Sequence, residues 1–350
     1  MAHPYKTLPD RNFWSRAVAG QPPFLLDPGV EPPFRIGPND KVATAGSCFA
    51  QNIARRLANS GFNYFVTEPA PQEMPHAEAS ERNFGVYSSR YGNVYTTRQL
   101  LQLIQRAYDP DAFDIPVWKL GDRFADPFRP QIEPWGFESE AILQASRAEH
   151  LAAVRRMFEE LDILVFTLGL TECWRHLETG AIVPIAPGVA GGEWDPGVYG
   201  FHNQTVAEVI TDLTAFLELL RSVNPRSKVL LTVSPVPLAA TYEQRHVMTS
   251  TVYSKSVLRV AADEIERAFS DVAYFPSYEI ITASSNGQYY DTDLRNVRTI
   301  GVDHVMRVFF DHMVERGEPG QPRVEAGFVR MEAREAASVV CDEEAIERAM

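Results

Sequence analysis

The stretch from Lys41 to Gly61, KVATAGSCFAQNIARRLANSG, constrains the fold of this chain more than any other. Lys41 to Ala45 reads as a short strand, because Val42 and Thr44 are β-branched and no breaker interrupts them. Gly46 allows a tight turn. Phe49, Ile53 and Leu57 then recur at helical spacing, and Gly61 supplies a C-terminal stop. Ser47 therefore stands at a strand-to-helix corner, where a helix end offers open backbone N–H groups and a positive dipole. A serine at such a corner has two uses. It caps the helix, or it is a nucleophile aimed from the end of a parallel sheet.

The rest of the chain repeats the same alternation. Apolar runs at Asn63–Thr67, Asp162–Gly169, Lys228–Ser234 and Val272–Ile280 read as strands, the second being continuous enough for a strand buried on both faces. Helical spacing marks Thr96–Tyr108, Phe137–Leu161, Thr205–Val223, Val247–Ser270 and Thr299–Arg316. Strands alternating with helices imply parallel crossovers and a covered sheet, hence an α/β fold in three α/β/α layers with a mainly parallel sheet of about five strands. No composition break interrupts residues 35–316, which are expected to form one domain. Residues 1–34 form a proline-punctuated lead-in expected to pack on the core through Phe13, Trp14, Phe24 and Phe34. Residues 317–350 open with GEPGQP, a linker signal, and end in an Ala/Glu/Arg-rich stretch expected to hold a C-terminal helix. Two irregular segments, Asp109–Trp135 and Arg175–Asn203, are expected to wall a pocket, since long structureless loops in compact domains are commonly functional.

Charge and cysteine content narrow the function. A formal net charge of −13, with no Lys/Arg cluster to offset it, argues against nucleic acid and anionic membranes as partners. Three scattered cysteines fit neither a disulfide framework nor a zinc site. They suit a reducing cytoplasm, and no apolar run approaches the roughly 18 residues of a membrane span. No cofactor or metal is expected.

The pentapeptide Gly46-Ser47-Cys48-Phe49-Ala50 is followed in order by YGNVY at Tyr91, ADPFRP at Ala125, FTLGLTE at Phe166, TVSPV at Thr232, SKSVLR at Ser254 and YFPSYEI at Tyr274. Over about residues 35 to 315 this series resembles the GSCFA family, itself similar to the SGNH (GDSL-like) hydrolases with their flavodoxin-like fold. The resemblance implies that Ser47 attacks an ester while its own N–H and that of Gly92, beside Asn93, hold the oxyanion. Thr171 stands where an SGNH enzyme has an oxyanion-binding Asn. Glu172, just past a buried strand, is either a functional acid with a shifted pKa or a solvated loop end. Asp293 matches the residue that orients the catalytic His, but the His position holds Asn296, and an amide accepts no proton near neutral pH.

His304 is the nearest replacement base, eight residues or about 12 Å further along a helix; its other reading is a partly exposed helix residue. His202, in a glycine-rich loop, also stands within reach. The implied function is a serine esterase or O-acyltransferase whose partner is a small-molecule or carbohydrate ester. The alternative is a catalytically silent module that binds a glycan or a protein. The oligomeric state stays open.

Overall fold

Apolar residues on both faces of a strand require helices on both sides, and the chain builds that arrangement. A computed structural model describes residues 3–29, 31–283, 287–315 and 342–349. The first half contains α1 (Trp14–Ala17), β1 (Val42–Gly46), α2 (Cys48–Asn59), α3 (His76–Glu81), α4 (Thr97–Tyr108), β2 (Trp118–Leu120), β3 (Arg123–Ala125) and α5 (Glu140–Glu160). It continues with β4 (Ile163–Leu168), β5 (Glu172–His176), β6 (Ile182–Val183), β7 (Tyr199–Asn203), α6 (Val206–Val223), β8 (Lys228–Val233) and α7 (Val247–Ala268). β9 (Val272–Phe275), α8 (Ser277–Thr282), α9 (Thr299–His312) and α10 (Glu344–Arg348) complete it.

The central sheet is parallel, in the order β1-β4-β8-β9, with Gly46 opposite Thr167 and Leu168 opposite Val233. The strand expected over Asn63–Thr67 shrinks to one parallel bridge, between Tyr64 and Val42 on the outer side of β1. Counting that bridge as the second strand gives the order 2-1-3-4-5. Connections then leave β1 and β4 in opposite directions, and ligands in such sheets bind beyond the strand carboxyl ends at this reversal.

Side-chain alternation sorts the strands into two cores. Ala43, Phe166, Leu231 and Tyr274 face one side, where Leu100, Val154, Phe216 and Leu258 cover them. Val42, Val165, Leu230 and Phe275 face the other, beneath Phe49, Ile53, Val305 and Phe309. The two layers of helix are thus α4–α7 and α2, α8 and α9. Thr96 with Gln99 and Thr205 with Glu208 form capping boxes that start α4 and α6 where the sequence expects them.

Three expectations are corrected. The segment Arg175–Asn203 is not irregular throughout, since β5, β6 and β7 pair as a small antiparallel sheet in the order β6-β5-β7. Asp109–Trp135 likewise contains the β2–β3 hairpin. In the lead-in, Trp14 is 69% and Phe24 55% exposed. Phe34 packs against the α2–α9 core as expected, and polar contacts along α9 hold the rest of the segment: Arg307 donates to the Phe24 carbonyl at 3.2 Å, and His312 pairs with Asp27 at 2.9 Å. The linker expected at the start of 317–350 lies outside the described residues. Among the described residues, no helix is long and apolar enough to cross a membrane.

The ADPFRP block becomes a buried ion network beside the sheet. Asp126 Oδ2 accepts from Arg129 Nε and Oδ1 from Arg147 Nη2, both at 2.9 Å. Arg106 lies 3.3 Å from the Phe128 ring centre. Glu68 accepts from the Arg90 amide at 2.8 Å and meets His150 at 2.7 Å, while Arg90 Nη2 donates to Glu133 at 2.7 Å. These bonds fasten the Tyr87–Tyr95 segment to the segment carrying β3.

At the end of β1 the backbone of Gly46 adopts φ +139°, and a Cβ there would stand 2.4 Å from the Thr167 carbonyl oxygen. The strand can meet β4 this closely only without a side chain. Gly46→Ala is expected to destabilise the fold by roughly 2–4 kcal/mol through backbone strain and overpacking, read as a lower urea midpoint. A variant with an unchanged midpoint would show that the corner relaxes freely.

Candidate active site

Ser47 occupies the N-cap position of α2, but its side chain makes no cap hydrogen bond. Its amide donates to the Thr167 carbonyl at 3.3 Å, extending the β1–β4 pairing by one residue. Its Oγ is buried and has no hydrogen-bond partner among the described residues. An unpartnered buried hydroxyl costs about 1–3 kcal/mol, and such groups concentrate where chemistry needs them. The Ser47 side chain is thus not capping α2 here. Ser47 and Cys48 beyond β1, Gly169 and Leu170 beyond β4, and Ser234 and Val236 beyond β8 line one pocket at the topological reversal.

Lys255 enters the same pocket from α7. It is 2% exposed, and its Nζ donates to the Gly169 carbonyl at 2.5 Å. Gly169 also packs on Ser47, since a Cβ on it would lie 3.2 Å from the Ser47 Cβ. The lysine head and the serine thus converge on one glycine. Burial pushes the Lys255 ammonium down to about 8, against the upward pull of Glu343 and Cys48, with Arg295 adding to the downward push.

The fourth wall comes from the far end of the chain. Glu343 lines the pocket and accepts from Arg295 Nη2 at 3.0 Å and from the Ala239 amide at 3.4 Å. Next to it, the Asp342 amide donates to the Tyr95 hydroxyl, and Asn93 Nδ2 donates to Asp342 Oδ2, each at 3.0 Å. Burial raises the Asp342 carboxyl to about 6, opposed by the bonds from Asn93 and Tyr95. Burial also raises Glu343, opposed first by Arg295.

The other residues singled out by the sequence are scattered. Gly92, at φ +74°, lines a neighbouring cavity with Asn93, Arg129 and Asp342. With the Ser47 amide held by Thr167, the expected pair of oxyanion donors is not assembled; what the site retains is the N-terminal end of α2 and its dipole. Asn93 Oδ1 accepts from Gln51 at 3.2 Å. Thr171 is fully buried and committed elsewhere, its amide donating to Ser254 Oγ at 3.0 Å and its hydroxyl to Asn203 at 2.6 Å. Glu172 begins β5 rather than ending a loop, and accepts from Thr241 Oγ1 at 2.6 Å and the Tyr242 amide at 3.2 Å. Burial raises its carboxyl, opposed by these bonds. His202 Nε2 meets Glu208 at 2.8 Å on β7.

Asp293 and Asn296 form an exposed turn. Asp293 Oδ1 accepts from the amides of Arg295 and Asn296 at 2.9 and 3.0 Å, and Asn296 Nδ2 donates to Asp293 Oδ2 at 2.7 Å. Burial pushes the Asp293 carboxyl up, but these bonds together outweigh it and hold Asp293 below the usual carboxylate range. His304 is not brought to Ser47, and the expectation of it as base is corrected. Its Nδ1 meets the Tyr289 hydroxyl at 2.7 Å and its Nε2 the Leu26 carbonyl at 2.6 Å. Both nitrogens are taken, and burial lowers its pKa.

Lys255, Arg295 and Glu343 carry no role in the sequence reading. One signal exists for Lys255: it falls three residues before Leu258, on the apolar stripe of its helix, where a charged side chain needs a reason.

The family model described as GSCFA family matches residues 41–309. No curated protein matches the chain. A crystal structure of an acetyl esterase serine-to-alanine mutant with an acetate ion is similar at 16% identity, over 60% of this chain and 85% of that one, with a TM-score of 0.25.

Proposed function

The chain belongs to the GSCFA family, and from that membership and the pocket around Ser47 we propose a serine ester hydrolase or O-acyltransferase. Ser47 is its nucleophile and Lys255 the proton acceptor. The observation that carries this reading is the buried, unpartnered Ser47 Oγ sharing a pocket with a buried lysine. A neutral lysine amine is a competent general base, and burial is what makes it available near neutral pH.

In the proposed reaction, Lys255 Nζ turns from the Gly169 carbonyl to Ser47 Oγ and takes its proton as Oγ bonds to the ester carbonyl carbon. The oxyanion forms beside the N-terminus of α2, whose dipole opposes its charge. Collapse breaks the bond to the leaving alkoxide, which receives the proton from the Lys255 ammonium. Water, or an acceptor alcohol in a transferase, then gives its proton to Lys255 and its oxygen to the acyl carbon; as the bond to Oγ breaks, the Lys255 ammonium returns that proton to Ser47. An O-acylated carbohydrate is the substrate class that the family resemblance suggests, and the scattered cysteines suggest a cytoplasmic setting for it.

The base must be neutral, so activity requires deprotonation of Lys255. Cys48, Glu343 and Tyr95 line the same pocket; burial sets the lysine's pKa first, with Glu343, Cys48 and the nearby Arg295 modifying it. Since that pKa lies at about 8, kcat/KM for p-nitrophenyl acetate is expected to rise with pH and level off above about 8. A profile that is flat or falls across that range removes Lys255 from the role.

A second reading rests on Asn296, which stands where a triad histidine would and pairs with Asp293. It makes the chain a catalytically silent module binding a glycan or a protein in the same pocket. Absence of turnover at every pH, with ligand binding retained, selects it.

A further inference from the structure

Two cations meet the wall of the pocket beside Ser47 in a chain whose net charge is −13: Lys255 lines it, and Arg295 stands behind it, bonded to the lining residues Glu343 and Pro237. The group that answers them is not a neighbour in the fold but a carboxylate from the opposite end of the chain. Arg295 is 13% exposed in its side chain and Glu343 12%. Their bond at 3.0 Å is thus shielded from water, where a charge-assisted pair is strong and a lone guanidinium is costly. Arg295 reaches this position because its Nε also donates to the Pro237 carbonyl at 3.3 Å, on the rim formed after β8. Its neighbours Asp293 and Asn296 meanwhile pair with each other at the surface. The turn that carries an Asp and an Asn outward therefore carries an arginine inward.

We propose that Arg295 is an anion subsite at the mouth of the Ser47 pocket. It takes a carboxylate carried by the ester substrate, on either side of the ester bond, and Glu343 holds the subsite as an internal stand-in until the substrate displaces it. The inference rests on the reading of Ser47 as nucleophile for its functional sense, but the subsite itself is a binding property. Glu343 accepts one bond from Arg295 and one from the Ala239 amide, the two donors a substrate carboxylate would find vacated. Asp342, anchored on Asn93 and Tyr95, sets how firmly the stand-in is seated. A substrate carboxylate that replaced Glu343 would also keep a negative charge facing Lys255.

Titration calorimetry with glutarate on the full-length chain tests this without requiring catalysis. Glu343→Gln keeps the shape of the stand-in and removes its charge, so glutarate should bind the variant about tenfold more tightly than the wild type, because the competing state is less populated. Adding Arg295→Gln to that variant should abolish the gain, with thermal unfolding confirming that both variants are folded. Equal glutarate affinity in the wild type and Glu343→Gln, or a gain that survives Arg295→Gln, overturns the subsite. A gain that depends on Arg295, in a protein that turns over no ester, supports the subsite and counts against the hydrolase reading alone. If turnover is present, mono-p-nitrophenyl succinate should gain more than p-nitrophenyl acetate from Glu343→Gln. Equal gains would overturn the assignment of that carboxylate to the substrate.

Discussion

Asp126→Asn is expected to cost the fold roughly 3–5 kcal/mol, the loss typical of removing one partner from a buried ion network. Asp126 is 1% exposed and receives Arg129 and Arg147 directly, with Arg106 close enough to add to their field. Burial alone would raise its pKa, yet the three guanidiniums outweigh that and hold it far below the usual carboxylate range. Asparagine preserves the volume and strands those charges in a dry site. Urea denaturation at neutral pH measures the cost, and a change under about 1 kcal/mol would show that the network is solvated. The pH dependence has a fixed sign. A depressed folded-state pKa contributes stability that is present above the unfolded value of 3.8 and lost as pH falls below it. Below about pH 4 the wild type should therefore lose stability faster than the variant.

Lys255→Met is expected to lower kcat/KM for an activated ester by a factor of about 10²–10⁴, the usual contribution of a positioned general base. Methionine keeps the length and apolar stem of the side chain and removes only the amine. The rise toward about pH 8 should vanish with it, because the group that titrates there is gone. Ser47→Ala should reach the same floor, and the double variant should fall no further, since residues acting as one unit are not additive. A Lys255→Met enzyme with wild-type kcat/KM and an unchanged pH profile would assign the base elsewhere. A merely structural role for Lys255 would lower activity while leaving the pH dependence in place.

The parts of this site that were legible in the sequence are those formed by neighbours in the chain. The strand–Gly–Ser–helix corner at 42–59 is a local pattern, and continuous apolar runs announced β4 and β8. What failed depended on contacts between distant residues. His304 looked available because helical spacing left it on the flank of α9, yet its Nε2 is capped by Leu26, 278 residues away in sequence. Thr171 was read from its place after β4, but the site it faces was built by Ser254 and Asn203. The weak fifth strand lost out because Tyr64 forms a single bridge before the chain turns aside. Glu343 was illegible in principle. Nothing in an Ala/Glu/Arg-rich tail distinguishes a carboxylate bound for a pocket from one on a solvated helix face.

The claim on which the rest depends is that Ser47 Oγ is an activated nucleophile. Incubation with a fluorophosphonate probe, followed by peptide mass mapping, reads this directly and needs no knowledge of the substrate. The account predicts a single phosphonyl adduct on Ser47, forming faster as pH rises toward about 8 and suppressed in Lys255→Met. A folded wild-type protein that takes no adduct at any pH, or takes it on another residue, would contradict it.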